Sequence, residues 1–243
     1  MSISLQEYES VSVTVKRFDG EKSWNQEYSV PYEKGKTLVW LLTKIREEQD
    51  STLNFTVSCL HAICGACGVK VNGSSYLLCS TPLDEVLTTW QTNELLFEPM
   101  ANFDVVRDLV IDFIPKFERM KTVSPWLEPA DHGSLETGFS QSAGEFKKIA
   151  SAVDCILCGL CTSECEQLHK NDGGYLDPFI FNKAYRFAAD SRDNNPIERI
   201  SAALEGDLWK CVHCMRCTSV CPKEIDIAEE IAYLRSGYNT NLT

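Results

Sequence analysis

Residues 59–67 read CLHAICGAC, and a fourth cysteine follows at Cys79. The spacing is C-x4-C-x2-C-x11-C. Two irons bridged by two sulfides need four thiolates close together, and a C-x4-C-x2-C loop holds one side of such a 2Fe–2S cluster. Cys59, Cys64 and Cys67 would come from the loop, and Cys79 must return from the next element. Gly65 and Gly68 flank the inner cysteines and let the backbone turn sharply near sulfide. Amide N–H groups in such a loop point at the negatively charged sulfurs. A four-cysteine zinc site favours C-x2–4-C pairs, a pattern this triplet fits badly. His61 lies between ligands with no second histidine placed to join it, so it reads as a loop residue near the cluster.

Cys155, Cys158, Cys161 and Cys165 form a C-x2-C-x2-C-x3-C run, and Cys211, Cys214, Cys217 and Cys221 repeat it, ending in Pro222. In the two-cluster bacterial arrangement three cysteines of a run hold three corners of one cubane, and the fourth reaches the other. One 4Fe–4S cluster therefore takes Cys155, Cys158, Cys161 and Cys221. The other takes Cys165, Cys211, Cys214 and Cys217. The fourth cysteine of each run is expected on the helix that follows it. Glu166 stands where the first run would carry proline, a change that removes no ligand. These sets account for all twelve cysteines of the 243 residues.

The flanking sequence frames two domains. Residues 11–18 (VSVTVKRF) alternate as a half-buried strand, Asp19-Gly20 reads as a turn, and residues 27–30 supply a second strand. Residues 37–50 carry Leu38, Leu42 and Ile45 on one helical face. Asn72-Gly73 predicts a turn, and residues 94–97 another strand. Residues 102–120 predict an amphipathic helix that Pro115 ends or kinks. A connection over 124–144 leads to helices near 146–154, 179–189, 197–204 and 227–234, and the polar tail from Ser236 is expected to fray. The fold class is α+β: a plant-type ferredoxin domain over 1–104, then an α-helical bacterial-type two-cluster domain over 105–243.

Lys and Arg number 23 against 35 Asp and Glu, a net charge of −12. An acidic chain is poorly suited to nucleic acid, whose affinity comes from neutralising phosphates. The first residues, MSISLQEYES, lack a basic, apolar leader, and charges interrupt the apolar segment 103–117. Neither export nor a membrane span is expected, and grouped cysteines then read as metal ligands before disulfides. No nucleophile, base and orienting acid stand out. Electron transfer is expected here, with substrate chemistry on another chain.

The order of one plant-type group and two bacterial-type runs resembles the iron–sulfur subunit of succinate dehydrogenase and fumarate reductase. NFDVVRDLVID (102–112), AYRFAADSRD (184–193) and CPKEIDIAEEI (221–231) resemble segments of that family. The resemblance implies a β-grasp N-terminal domain and a flavoprotein partner whose covalent FAD interconverts succinate and fumarate. It also implies a quinone-reactive partner, and it puts the 2Fe–2S cluster nearest the flavin. The family's usual three-iron cluster has ligands matching Cys165, Cys211 and Cys217. Cys214 stands where a non-cysteine is usual, so a 4Fe–4S cluster is expected, with 3Fe–4S as the alternative. Glu166, Gln167 and Leu168 replace the proline and tryptophan of the family's quinone site, and Val212 replaces a histidine, with His213 one place away. These departures favour the branch with a cysteine-rich, heterodisulfide-reductase-like partner over a membrane anchor. Localisation is expected to be cytoplasmic, on the membrane face through a partner subunit. A free soluble ferredoxin and a relay in a soluble-donor complex are the competing readings.

Overall fold

The computed structural model describes residues 8–129, 136, 138–170 and 174–240. The expected leaderless start (residues 1–7), part of the 124–144 connection and the last three residues of the tail lie outside them. Two compact units form: residues 1–112 with 156–163, and residues 113–155 with 164–243.

In the first unit β1 (Ser10–Phe18) pairs antiparallel with β2 (Ser23–Pro31). Helix α1 (Leu38–Glu48) buries Leu38, Leu41, Leu42 and Ile45. Strands β3 (Gly68–Val71) and β4 (Ser74–Leu77) form a hairpin, with Asn72 and Gly73 in left-handed conformation between them. Two such residues match the right-handed twist of flanking strands. After α2 (Leu83–Trp90), β5 (Glu94–Glu98) enters parallel to β1 and antiparallel to β3. The sheet order is β2-β1-β5-β3-β4.

The expected helix over 102–120 is corrected. β6 (Asp104–Arg107) and β7 (Val110–Asp112) form a small antiparallel sheet, and helix α3 (Ile114–Met120) begins only after it, with Pro115 in its first turn. The physical cause lies 91 residues away. Alternation along β1 buries Val11, Val13, Val15 and then Arg17. A guanidinium in that position must be paired. Its Nε donates to Asp108 Oδ1 at 2.8 Å, and its Nη1 donates to Asp50 Oδ2 at 2.6 Å and to Tyr28 at 2.8 Å. Asp108 also accepts from the amides of Phe18 and Asn54. These bonds fix Asp108 at φ 49°, a turn conformation no helix contains. The first unit accordingly carries this turn and extends through residue 112.

The second unit is helical: α4 (Ala143–Val153), α6 (Glu166–Lys170), α7 (Pro178–Ala188), α8 (Pro196–Glu205), α9 (Arg216–Ser219) and α10 (Ile227–Thr240) follow α3. The intervening α5 (Leu160–Ser163) belongs to the first unit. A capping box opens α4: Ser142 Oγ accepts from the Glu145 amide, and the Ser142 amide donates to Glu145. Such caps are worth roughly 1 kcal/mol. Proline opens α7 and α8, where its missing N–H costs no helical bond. Ile149, Phe179, Ile180, Phe181, Ile200 and Ile231 are core residues. Lys116 and Arg119 of α3 pair with the buried Asp177 ahead of α7. The expected frayed tail is instead helical through Thr240.

Burial alone would lower the Arg17 pKa, but its bonds to Asp108 and Asp50 outweigh that and raise it. Hydrogen bonds from Thr52, Tyr28 and Arg17 hold the Asp50 carboxyl well below the usual range. Burial pushes Asp108 up, yet Arg17 and the amides of Asn54 and Phe18 bring it down on balance. Both carboxyls are depressed, so their stabilisation is complete above roughly pH 4 and is lost as acid protonates the folded protein. Asp108→Ala leaves two amides and one guanidinium short of an acceptor and should cost about 3 kcal/mol. Denaturant unfolding of the two proteins near neutral pH and in acid, at roughly pH 3, checks both points. The gap should narrow in acid.

Candidate cluster-binding sites

The 2Fe–2S candidate sits on the loop entering β3. Leu60, Ala62 and Gly65 adopt positive φ, so the chain coils tightly round its cysteines. The amides of His61, Ile63 and Cys64 donate to Cys59 Sγ at 3.4, 3.5 and 3.4 Å, and the Ala62 amide donates to Cys79 Sγ at 3.3 Å. His61 thus contributes its backbone amide. The β3–β4 hairpin explains the eleven-residue gap: it leads out from Cys67 and folds back, and the Leu78 amide bonds the Cys67 carbonyl at 3.0 Å. Cys79 returns beside Cys67. These amides draw the Cys59 thiol down to about 6, the His61 amide contributing most. Burial pushes Cys67 up to about 12, with the Cys79 backbone opposing the rise and its side chain adding to it. Cys64 is exposed, flanked by exposed Leu60 and Ile63.

Gly65 and Gly68 act differently from each other. Gly65 needs its φ of 71°, and a Cβ there would stand 2.7 Å from the Ile156 carbonyl oxygen and 2.9 Å from Cys158 Cα. The loop of the first cysteine group therefore lies backbone to backbone against the first run. Gly68 has no positive φ; a Cβ there would meet Met100 Sδ at 2.6 Å. Its smallness serves packing and not a turn towards sulfide, which corrects the expectation.

Cys165, Cys211, Cys214 and Cys217 line one pocket in the second unit. Burial raises Cys165 and pushes Cys217 up to about 12, and the neighbouring thiols of the set push both the same way. The amides of Leu168 and Gln167 at the start of α6 act on Cys165 in the opposite sense. Glu166 bonds Arg216 Nη1 at 2.7 Å and Lys170 at 3.3 Å, so the residue in the proline position links the two cysteine runs. Cys214 is exposed, as are Val212 and Met215 beside it.

For the remaining set, Cys158 and Cys161 fall in the first unit and Cys155 and Cys221 in the second, where the latter two interact electrostatically. Leu157 and Gly159 flank Cys158 with positive φ, and His213 and Met215 flank Cys214 in the same way. The identical spacing of the runs thus reflects a matching backbone path. The third cysteine of each run falls at the start of a short helix, α5 or α9. The fourth does not sit on the following helix: Cys165 immediately precedes α6, and Cys221 lies in a turn well ahead of α10. Pro222 follows in that turn.

Among the described residues no three His, Cys, Asp or Glu side chains converge to hold a single metal ion. The donor chemistry present is four thiols lining one pocket and backbone amides aimed at the sulfurs of Cys59, Cys79 and Cys211, which suits an iron–sulfur cluster. Tyr175 is a residue that spacing does not reveal. It is buried in the Cys165 pocket, where burial and the nearby Cys165 and Cys211 thiols raise its pKa strongly. It belongs to no motif, and only the folded pocket brings it to the thiols.

Comparison with known proteins agrees with this chemistry. Residues 12–118 match a 2Fe-2S iron-sulfur cluster binding domain, and residues 151–225 match a 4Fe-4S dicluster domain. The 8-methylmenaquinol:fumarate reductase iron-sulfur subunit of Wolinella succinogenes is 42% identical over 94% of this chain and 74% of its own. The mitochondrial succinate dehydrogenase [ubiquinone] iron-sulfur subunit of Dictyostelium discoideum is 33% identical over 93% of this chain and 81% of its own. A chain of the Mycobacterium smegmatis Sdh1 complex shares the fold, with a TM-score of 0.87 at 20% identity over 96% of this chain and 98% of that one. With the Wolinella and Dictyostelium relatives matching nearly the whole of its length, this chain belongs to the family of electron-transferring iron–sulfur subunits of succinate dehydrogenase and fumarate reductase.

Proposed function

We propose that the chain relays electrons, one at a time, between a covalent-FAD flavoprotein that interconverts succinate and fumarate and a quinone-reactive subunit. The first unit is read as a β-grasp, plant-type ferredoxin domain, with Cys59, Cys64, Cys67 and Cys79 holding a 2Fe–2S cluster. Cys155, Cys158, Cys161 and Cys221 hold one 4Fe–4S cluster of a bacterial-type domain, and Cys165, Cys211, Cys214 and Cys217 hold the second. When bound, the clusters supply one-electron carriers. The thiols ligate them, and the amides at Cys59 and Cys79 stabilise negative charge on sulfur.

The observation that carries this reading is the exposure of one thiol in each of two sets, Cys64 and Cys214, each among exposed apolar side chains. A relay needs such edges, where a partner can approach a cluster closely. The Wolinella relative's name favours a quinol as the donor and fumarate as the acceptor. The Glu166-Gln167-Leu168 segment and Val212 favour a cysteine-rich peripheral partner over a membrane anchor. No helix among the described residues is long and apolar enough to cross a membrane.

Two substitutions test the reading. Cys64→Ala in the assembled complex should remove the 2Fe–2S electron paramagnetic resonance signal and block flow between succinate and the terminal acceptor, while succinate still reduces the flavin. Unchanged flow would refute the placement. Cys214→Ser should replace a 4Fe–4S signature by a three-iron signal in protein purified without oxygen. A three-iron signal already present in the unmodified protein, and unaltered by the substitution, would remove Cys214 from the ligand set.

A further inference from the structure

Glu230 projects from α10 into the core of the helical unit, with only 5% of its surface exposed. Its hydrogen bonds come from the neutral Asn182 amide, whose Nδ2 lies 3.1 and 2.9 Å from the two carboxyl oxygens. Among the described residues it forms no ion pair. A buried carboxylate without a cation is costly, and the usual outcome is protonation.

From α7, Lys183 exerts a weak opposing attraction, and Tyr185 sits within electrostatic reach but donates its hydroxyl to the Lys148 carbonyl. From α4 comes the Ala152 carbonyl, 3.5 Å from Asn182 Nδ2. Asp226, ahead of α10, adds repulsion and is itself held by Thr218 of α9. Arg199 of α8 pairs with Asp193 and Glu128, Arg216 of α9 pairs with Glu166, and Arg235, further along α10 itself, bonds the Leu208 and Cys211 carbonyls. Burial raises the Glu230 carboxyl to about 8, with Asn182 and Lys183 pulling the other way. The field of Glu230 reaches Cys221.

We propose that Glu230 takes up a proton when the cluster ligated by Cys221 is reduced, so that electron transfer through this chain is coupled to protonation of a buried carboxylate. The inference rests on the ligand assignment proposed above. One electron enters the cluster, from the flavoprotein in turnover or from dithionite in a titration. One proton from solvent joins a Glu230 oxygen, and no bond to iron or sulfur forms or breaks. The added negative charge raises the proton affinity of Glu230. Where Glu230 is ionised beside the oxidised cluster and protonated beside the reduced one, the midpoint potential falls as pH rises. Below that window Glu230 is protonated in both states, and above it ionised in both, so the potential is level on each side. Asn182 Oδ1 is buried without a hydrogen-bond donor. A turn of the amide lets it accept the new carboxyl proton.

The test is a redox titration of the cluster-loaded complex from about pH 6 to about pH 10, followed by electron paramagnetic resonance. Iron content and the signals of the three clusters verify the ligand assignment first, so its failure is seen separately. The potential of the Cys221-ligated cluster should fall through a mildly alkaline window that opens near the Glu230 value of about 8 and extends upward. In Glu230→Gln, an isostere that keeps the Asn182 contact, it should be flat. A carboxylic acid band in the infrared difference spectrum between reduced and oxidised unmodified protein should appear on reduction, a readout independent of whether the variant folds. A flat potential in the unmodified protein, a slope unchanged in Glu230→Gln, or a difference spectrum without a carboxyl band would each overturn the proposal.

Discussion

Twelve thiols can be gathered into fours only if the backbone between them turns far more tightly than a helix or strand allows. The same solution recurs three times. Leu60, Ala62 and Gly65 in the first group, Leu157 and Gly159 in the second, and His213 and Met215 in the third all take positive φ. Most of these residues carry a Cβ, which that conformation strains by about 1 kcal/mol or more each. The amides exposed by the turns find sulfur acceptors, as at Cys59 and Cys79. A loop so strained persists because its surroundings determine it. The β3–β4 hairpin returns Cys79 to Cys67, and the backbone of the first run packs so near Gly65 that a Cβ there would have no space.

The scaffolds around the loops manage charge with equal care. In the sheet unit Arg17 occupies a core position of β1 and is surrounded by Asp108, Asp50 and Tyr28, which ties the chain just ahead of the ligand loop to the β6–β7 turn. In the helical unit Arg199 and Asp177 are also buried with opposite charges. Glu230 departs from this pattern. It is buried with a neutral amide where these other groups have charged partners, and it lies within electrostatic reach of Cys221.

The parts of the fold that local pattern controls are legible in the sequence. Alternation marks β1, the Leu38–Leu42–Ile45 face marks α1, and Asn72-Gly73 marks the hairpin turn. Spacing groups the cysteines into expected sets, and one pocket is lined by Cys165, Cys211, Cys214 and Cys217. Residues 102–112 read wrongly as helix because their turn is held by Arg17, a long-range partner that no window of sequence contains. The start of α4 at Ala143 is legible in principle from the Ser142-x-x-Glu145 capping box. Tyr175 and Glu230 are not. Each gains significance from what packs against it, and neither belongs to a spacing motif.

The central claim is that twelve cysteines form three complete cluster sites. Iron and acid-labile sulfide counted on the chain purified without oxygen, together with its Mössbauer spectrum, test it most directly. The account predicts about ten irons per chain, divided between one two-iron and two four-iron centres. Roughly four irons or fewer, with stoichiometric zinc in their place, would contradict it.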